Sequence, residues 1–430
     1  MFFLVFNSTF IIYLYTMYPT ISPYRDSGDM IVSAFTYGIA HPPGYPLYVL
    51  LGKVFTVLIP FGNIAYRVNL MSAFFGALSC SVLYFLIKNL YEKLSTDKKI
   101  LKVFVCLFVV LQFCFSSSLH SLSIVSEMYS VNTFFAVLII YLLLATKPSN
   151  LGNYTLLVAF LFGIGLGNHQ TLVLLVPGIL YLIIKRVASQ NVSKCLHFHF
   201  FTLSLFFLLG FSVYLFLPIR SAQNPTANWG DPSASVRNFY RVLTRADYGG
   251  IRLHPEKSPA EQNLSTVANN FLNFLKVSYR DTSHSLITIV FFVFIGIYLS
   301  NKIKIFWILF LFWFFSGPLF FIISNLPLSD KTSLPILEPY LIIPLIILIL
   351  WYGLGIFYIS RFLSNHSNEI FLVVLVSFGI ISPFFFRIPS LNKRYEFIAL
   401  DYSKDLLKTL PKNSILFNPD DTTTFTLKYQ

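Results

Sequence analysis

Apolar residues run along this chain in long uninterrupted blocks separated by polar connections. Neither the two-residue alternation of a half-buried strand nor the narrow stripe of an amphipathic surface helix describes them. The blocks fall at approximately 2–18, 68–88, 102–118, 130–146, 153–167, 170–185, 197–218, 285–300, 304–323, 334–357 and 370–386. Most approach the length a helix needs to cross about 30 Å of hydrocarbon, and the shorter ones, such as 153–167 and 170–185, suggest broken or tilted helices. The pattern predicts an all-α polytopic membrane protein with about eleven transmembrane helices. The first block lacks a basic leader and a small-residue cleavage site, so it reads as a retained helix rather than a signal peptide.

Composition agrees. Hydrophobic residues make up 56% of the chain and charged residues 11%, against about 25% charged in a soluble globular protein. The formal charge of +13 does not imply nucleic acid, because Lys and Arg sit in short connections, where they report topology. Lys88, Lys93, Lys98, Lys99 and Lys102 mark a cytoplasmic loop, and alternation then places Lys185, Arg186, Lys194, Lys302, Lys304 and Arg361 on the same side. The N-terminus is thereby expected in the cytoplasm, and the polar segments 19–67, 219–284 and 387–430 outside. All Asp and Glu residues except Glu92, Asp97 and Glu369 then face outward. Cys80, Cys106, Cys114 and Cys195 lie in or beside apolar blocks without zinc-ligand spacing, so neither a disulfide nor a structural metal is expected.

The candidate chemistry lies on the outer side. Asp26 and Asp29 follow the first block three residues apart, on one face if a helix begins there. Near carboxylates push their pKa values apart, so one can act as a base while the other is a hydrogen-bonding or metal partner. The structural alternative is a helix start, with Asp26 or Ser27 as the N-cap and Asp29 beside the helix dipole. His41-Pro42-Pro43-Gly44-Tyr45-Pro46 is a shaped loop that could hold an imidazole and an aromatic ring over a substrate, or could merely turn the chain back to the bilayer. Glu127 at the mouth of one block and Glu338 at the start of another are acids that call for a partner, a cavity or water. His169 sits in Gly165-Leu166-Gly167-Asn168-His169-Gln170, which also reads as a glycine-permitted hairpin. Arg220 and Arg245 suit a phosphate group, and equally a lipid headgroup, while Trp229 and Tyr248 suit interfacial anchoring.

Taken together and in order, DSGDMIVSAFTYGIAHPPGYPLYVLLGKVF, FGNIAYRVNLMSAFFGAL, SEMYSVN, GLGNHQT, LPIRSAQNPTANWGDP and RADYGG resemble the protein O-mannosyltransferase-related branch of the GT-C membrane glycosyltransferases. The resemblance implies a GT-C-like bundle over 1–386 and a short outer C-terminal segment, 387–430, that opens an outer soluble region; the family's chains continue where this one stops at Gln430. It implies sugar transfer from a polyprenyl-phosphate carrier to an acceptor hydroxyl, usually with inversion, with mannose as the candidate sugar and a protein or glycan as the acceptor. The DSGD pair, Asp26 and Asp29, takes the position of the family's catalytic loop, although the second place more often holds Glu, which leaves the base open between the two. His41, Tyr45, Glu127, His169 and Glu338 would line the cavity, and Arg220 or Arg245 would hold the departing phosphate, with Arg220 expected to carry the grip because it lies at the outer end of a span. No resident cofactor or metal is assigned. The partners are the bilayer, the lipid-linked donor and the acceptor, and the expected location is a bacterial cytoplasmic membrane. A transporter or flippase of lipid-linked sugars is the rival reading, since it too needs intramembrane acids and outer arginines. The absence of a visible internal repeat weighs against it.

Overall fold

The computed structural model describes residues 1–430 apart from 24–25, 96–97, 146–150, 190–195, 251–264, 266–267, 270, 277–285, 324–336, 365–373, 375–376, 378–380, 382–384 and 419–420. The expected block at 370–386 therefore lies almost wholly outside the described residues. The axis of the bundle is a helix of 31 residues, Ile64–Leu94, about 46 Å long at 1.5 Å per residue. It starts sharply because the Asn63 side chain accepts the backbone N–H of Tyr66 at 2.9 Å. Numbered in chain order, α1 (Phe2–Thr16), α2 (Ser27–Thr36) and α3 (Pro46–Leu58) precede this axial helix, α4. Then come α5 (Lys99–Cys114), α6 (Ser117–Ser123), α7 (Tyr129–Ala145), α8 (Leu151–Leu166), α9 (Val176–Ser189), α10 (Leu196–Phe211), α11 (Phe216–Ser221) and α12 (Val236–Leu243). The remainder comprises α13 (Leu286–Lys302), α14 (Phe306–Phe314), α15 (Phe320–Ile323), α16 (Ile342–Ser364), α17 (Ile388–Leu391), α18 (Ile398–Thr409) and α19 (Asp421–Tyr429).

Helix α4 packs against α1, α3, α5 and α7, while α8 pairs with α10 and α13 with α16. Both outer pairs use small residues for close approach: a Cβ added to Gly163 or Gly210 would strike the backbone of the facing helix, and so would one at Gly296 or Gly355. Cys80, Cys106 and Cys114 are buried and free.

Among the described residues, four helical segments are long and apolar enough to cross a membrane unaided: Ile64–Leu94, Phe200–Ser221, Phe306–Ile323 and Glu338–Ser364. A bent pair, α5 with α6, makes a fifth if counted as one, and six further apolar helices are only 10–17 residues long. Among the described residues the helices therefore support an all-α membrane protein with four or five full-length spans and further short apolar helices. The apolar runs are broken by local chemistry that hydropathy does not register. Ser116 caps a new helix and the chain turns by 67° there. The 170–185 run opens as a 3-10 turn at Gln170–Leu175, and Phe315–Leu319 widens into a π-turn around Pro318. Conversely, the expected loop 19–67 contains α2 and α3, the latter starting with Pro46 in its first turn, where a missing N–H costs nothing.

Three polar contacts of one side chain organise the end of the bundle that carries the acids. The Asn69 amide donates to the carbonyls of Tyr18 and Thr20, at 3.1 and 3.0 Å, and its Oδ1 accepts from Ser126 Oγ at 2.5 Å. One side chain on α4 therefore clamps both the chain leading to Asp26 and the turn carrying Glu127.

Candidate active site

Helix α2 carries the acidic pair. Asp26 occupies the N-cap position, but its side chain makes no capping hydrogen bond; its backbone N–H instead donates to Glu127 Oε1 at 3.1 Å. Asp29, one turn on, is almost fully buried, with 2% of its side chain exposed against 31% for Asp26. Its Oδ2 accepts both the backbone N–H of His41, at 3.0 Å, and lies 2.8 Å from His41 Nδ1. Its Oδ1 accepts from Trp229 Nε1 at 3.3 Å. The second imidazole nitrogen, Nε2, faces Asp26 Oδ2 at 3.6 Å. His41 thus bridges the two carboxylates.

The loop that presents His41 is fixed at both ends. Gly44, at φ 87°, donates its N–H to the His41 carbonyl at 2.8 Å, and the Pro42–Pro43 bond is cis. Leu47 N–H bonds the Gly167 carbonyl at 3.0 Å, and Asn168 Nδ2 bonds the Met128 carbonyl at 2.9 Å. These contacts bring the first loop, the Glu127 turn and the His169 hairpin together. From the other side of the sequence, Ile39 N–H bonds the Ala227 carbonyl at 2.7 Å and Trp229 N–H bonds the Ile39 carbonyl at 3.4 Å. That short bridge sets Trp229 against Asp29.

Around the cluster stands a group of aromatic rings. Tyr45 lies 5.1 Å from His41 and 6.1 Å from His169, and His169 also meets Tyr129 at 5.0 Å and Tyr340 at 5.8 Å. His169 Nδ1 is 2.7 Å from Thr171 Oγ1 and accepts the Thr171 N–H at 3.3 Å, which leaves Nε2 to carry the proton of the neutral ring. Phe425 of α19 stacks over His41 at 6.1 Å, and Lys428 lies 4.9 Å above the Trp229 ring. Helix α19 sits so close to α2 that any side chain at Gly28 would collide with the Phe425 carbonyl.

The two histidines titrate in opposite directions. Burial lowers His41, but the charge of Asp26 and the hydrogen bond and charge of Asp29 outweigh it, so its pKa lies above the ordinary imidazole value. For His169, burial, Arg245 and His41 all act downward and push it to about 3. Arg245 contributes positive charge to this group of residues, interacting with Tyr45, Tyr340, Tyr129 and Asp26. Its guanidinium lies 5.9 Å from the centre of the Tyr248 ring, and its buried Nε has no hydrogen-bond acceptor among the described residues.

Of the residues expected at the site, Asp26, Asp29, His41, Tyr45, Glu127, His169 and Arg245 are thus linked by contacts or charge. Arg220 is engaged elsewhere. Its Nε donates to the Tyr37 carbonyl at 2.5 Å and an Nη to that of Thr36 at 3.4 Å, closing the C-terminal end of α2, while the other Nη donates to Gln223. Glu338 lines a different cavity, of about 360 Å³, with Tyr18, Ser118 and Lys393, although Tyr340 two residues on joins the rings. Trp229 and Tyr248 had read only as anchors, and Phe425 carried no signal at all, because what places it is a contact between residues nearly 400 positions apart in sequence. Among the described residues no set of three His, Cys, Asp or Glu side chains is arranged to hold a metal ion.

Residues 26–193 match the family defined as the protein O-mannosyl-transferase TMEM260 N-terminal domain. Over that stretch the chain is similar to an O-mannosyltransferase-related family. The match opens at Asp26 itself and takes in Asp29, His41, Tyr45, Glu127 and His169. The protein O-mannosyl-transferase TMEM260 of Mus musculus is 34% identical over 272 residues, covering 61% of this chain and 36% of that protein. Its namesake in Dictyostelium discoideum is 26% identical over 466 residues, covering 98% of this chain and 54% of the relative. The chain therefore spans between about a third and just over half of the length of these curated relatives. Both organisms are eukaryotes, so they lend no support to a bacterial membrane.

Proposed function

We propose that this chain is the membrane-embedded catalytic part of a glycosyltransferase that moves a mannosyl group from a polyprenyl-phosphate carrier to a hydroxyl group on a protein, with inversion at the anomeric carbon. The observation that carries this reading is the carboxylate–imidazole–carboxylate arrangement, in which Asp29 holds one nitrogen of His41 and the other faces the part-exposed Asp26. The names of the two relatives support the choice of sugar and acceptor.

In this reading Asp29 is the positioning residue and Asp26 the base. Three N–H groups converge on Asp29, which suits a fixed anion better than a group that must take and release protons. Asp26 has solvent access and a lighter hydrogen-bond load, and Glu127 fixes its backbone. As the acceptor oxygen forms its bond to the anomeric carbon, its proton passes to the Asp26 carboxylate. The bond from that carbon to the phosphate oxygen breaks, and the electron pair leaves on the carrier phosphate. Arg245, with a buried donor lacking an acceptor, is the group best suited to meet that charge. Tyr45, Tyr129 and Tyr340 offer faces for the sugar. The acids lie on the outer side of the membrane in this reading, which the Lys-rich opposite end supports.

Purified protein in detergent, given a labelled mannosyl-phosphoryl-polyprenol and an acceptor peptide, should release polyprenyl phosphate in step with peptide mannosylation. Movement of the intact carrier across vesicles with no release would replace the enzyme by the transporter.

A further inference from the structure

At the end of α4 away from Asn69 there is a second cavity, of about 190 Å³. Lys93, which lines it, lies about 36 Å along the helix from Asn69, so this cavity belongs to the face that carries the Lys-rich loop. Among the described residues its charged lining is Lys93 from α4, Lys302 from the end of α13 and Arg361 from α16, with no acid. The rest of the lining is apolar, including Leu299 and Phe357, both almost fully buried. On α16 Tyr358, which also lines the cavity, and the neighbouring Phe362 are 45% and 55% exposed, where a bilayer would cover them.

Other cations at this end close off chain carbonyls: Lys98 donates to Ser364 O at 3.3 Å and Lys102 to Ser95 O at 2.5 Å. Lys93 also reaches a carbonyl, Leu144 O at 2.5 Å, at the end of α7. Lys302 has no acceptor among the described residues, and it shares the lining of this hollow with Leu94, Leu299, Ile303 and Phe357. The rule that puts basic residues on the cytoplasmic side explains why they are at this end. It does not explain why three helices each contribute one to the lining of the same cavity.

We propose that this cavity binds the phosphate of an anionic phospholipid from the leaflet at this face, its glycerol and acyl chains lying against Leu299, Phe357 and the exposed rings of α16. A soluble phosphate would satisfy the cations but leave the apolar lining wet, whereas a lipid matches both halves. The proposal does not depend on the glycosyltransferase reading.

Native mass spectrometry of the full chain in detergent tests it, with phosphatidylinositol or phosphatidylcholine added. One phosphatidylinositol should be retained per chain and phosphatidylcholine should not. The double variant Lys302→Gln/Arg361→Gln should retain it roughly thirtyfold more weakly, as expected for two cations near a lipid surface. Lys88→Gln, which removes an exposed cation paired with Glu92 at 3.7 Å outside the cavity, should retain it like the parent. If the double variant does not fold, Lys302→Gln alone, at an exposed position, should still weaken retention severalfold. Equal retention of phosphatidylcholine, unchanged retention in the Lys302 and Arg361 variants, or displacement of the lipid by an equal concentration of inorganic phosphate would each overturn the proposal.

Discussion

The two sides of the His41 cluster are built differently. On the Asp29 side the protein supplies the partners: His41 N–H, His41 Nδ1 and Trp229 Nε1 all meet that carboxylate, and Arg220 closes the end of the same helix on two carbonyls. On the Asp26 side the carboxylate has only the longer approach to His41 Nε2 among the described residues, and the neighbouring Arg245 keeps a buried Nε with no acceptor. Buried polar groups are normally satisfied, so an arginine donor left open beside a half-exposed carboxylate marks where a ligand's charge and hydroxyl would complete the set. In the proposed reading the satisfied side is scaffold, and the incomplete side is where chemistry is expected.

The two aspartates separate these roles most sharply. Asp26→Asn keeps the shape, and the helix start does not depend on this side chain, which makes no capping hydrogen bond, but it cannot accept a proton. Turnover should fall about a hundred- to ten-thousandfold with the thermal midpoint unchanged. Asp29→Asn should instead cost about 1.5–3 kcal/mol of stability, because three donors lose a buried charged acceptor. Its loss of turnover should be smaller and should follow from a misplaced His41. Equal effects of the two changes on both kcat and unfolding would erase the distinction.

The histidines test the same division through pH. His169, pushed to about 3, stays neutral in the fold, while an unfolded chain takes up its proton near 6.5. Its contribution is therefore full above about pH 6.5 and is lost as pH falls towards 3, amounting to about 2 kcal/mol by pH 5. His41 is raised, so its contribution has the opposite sign: it is present below about 6.5 and fades as pH climbs through the folded value. Unfolding measured from pH 5 to 8 should show His169→Gln losing the parent's acid-side decline and His41→Gln losing an alkaline-side decline. A His169→Gln curve parallel to the parent's would place His169 in water.

Much of this cluster was legible in the chain because the residues that carry it are local: Asp26, Asp29, His41 and Tyr45 fall within twenty positions, and proline and glycine announce a shaped loop between them. The division of labour was not legible, because it depends on Trp229, which is brought to Asp29 by a two-residue bridge from a segment two hundred positions away. The membrane character was plain from apolar runs. The span count was not, since a serine cap at Ser116, the turn before Gln170 and the π-turn at Pro318 all fall inside runs that hydropathy treats as continuous. The sequence pattern offered both Arg220 and Arg245 and favoured Arg220, at the outer end of an apolar run, whereas the backbone carbonyls of α2 that engage Arg220 favour Arg245 for the phosphate.

Arg245→Lys keeps a positive charge but removes the planar fork and the Nε donor. The KM for the polyprenyl-phosphate carrier should rise about tenfold, the order expected for a charge-assisted hydrogen bond of this kind, while the protein unfolds at the parental temperature. A raised thermal midpoint with unchanged KM would make Arg245 a buried charge with no ligand role.

The smallest effect, and the one that bears most directly on the comparison, is expected at Arg220. Its fork meets the carbonyls of Thr36 and Tyr37 and stacks 5.2 Å over the Tyr37 ring, so its work is to end α2, the helix that begins with Asp26 and carries Asp29. Lysine in its place can still approach the helix C-terminus, where a cation is favourable, but a single ammonium cannot bond both carbonyls and Gln223 in the same plane. Stability should drop by about 1 kcal/mol, the net value of a hydrogen bond or two at a half-exposed site. The carrier's KM should not move, because no donor that a phosphate needs has been withdrawn from the incomplete side. If KM rises in Arg220→Lys as much as in Arg245→Lys, the phosphate rests at the end of α2 rather than beside Asp26, and the line between scaffold and reacting groups has been drawn through the wrong arginine.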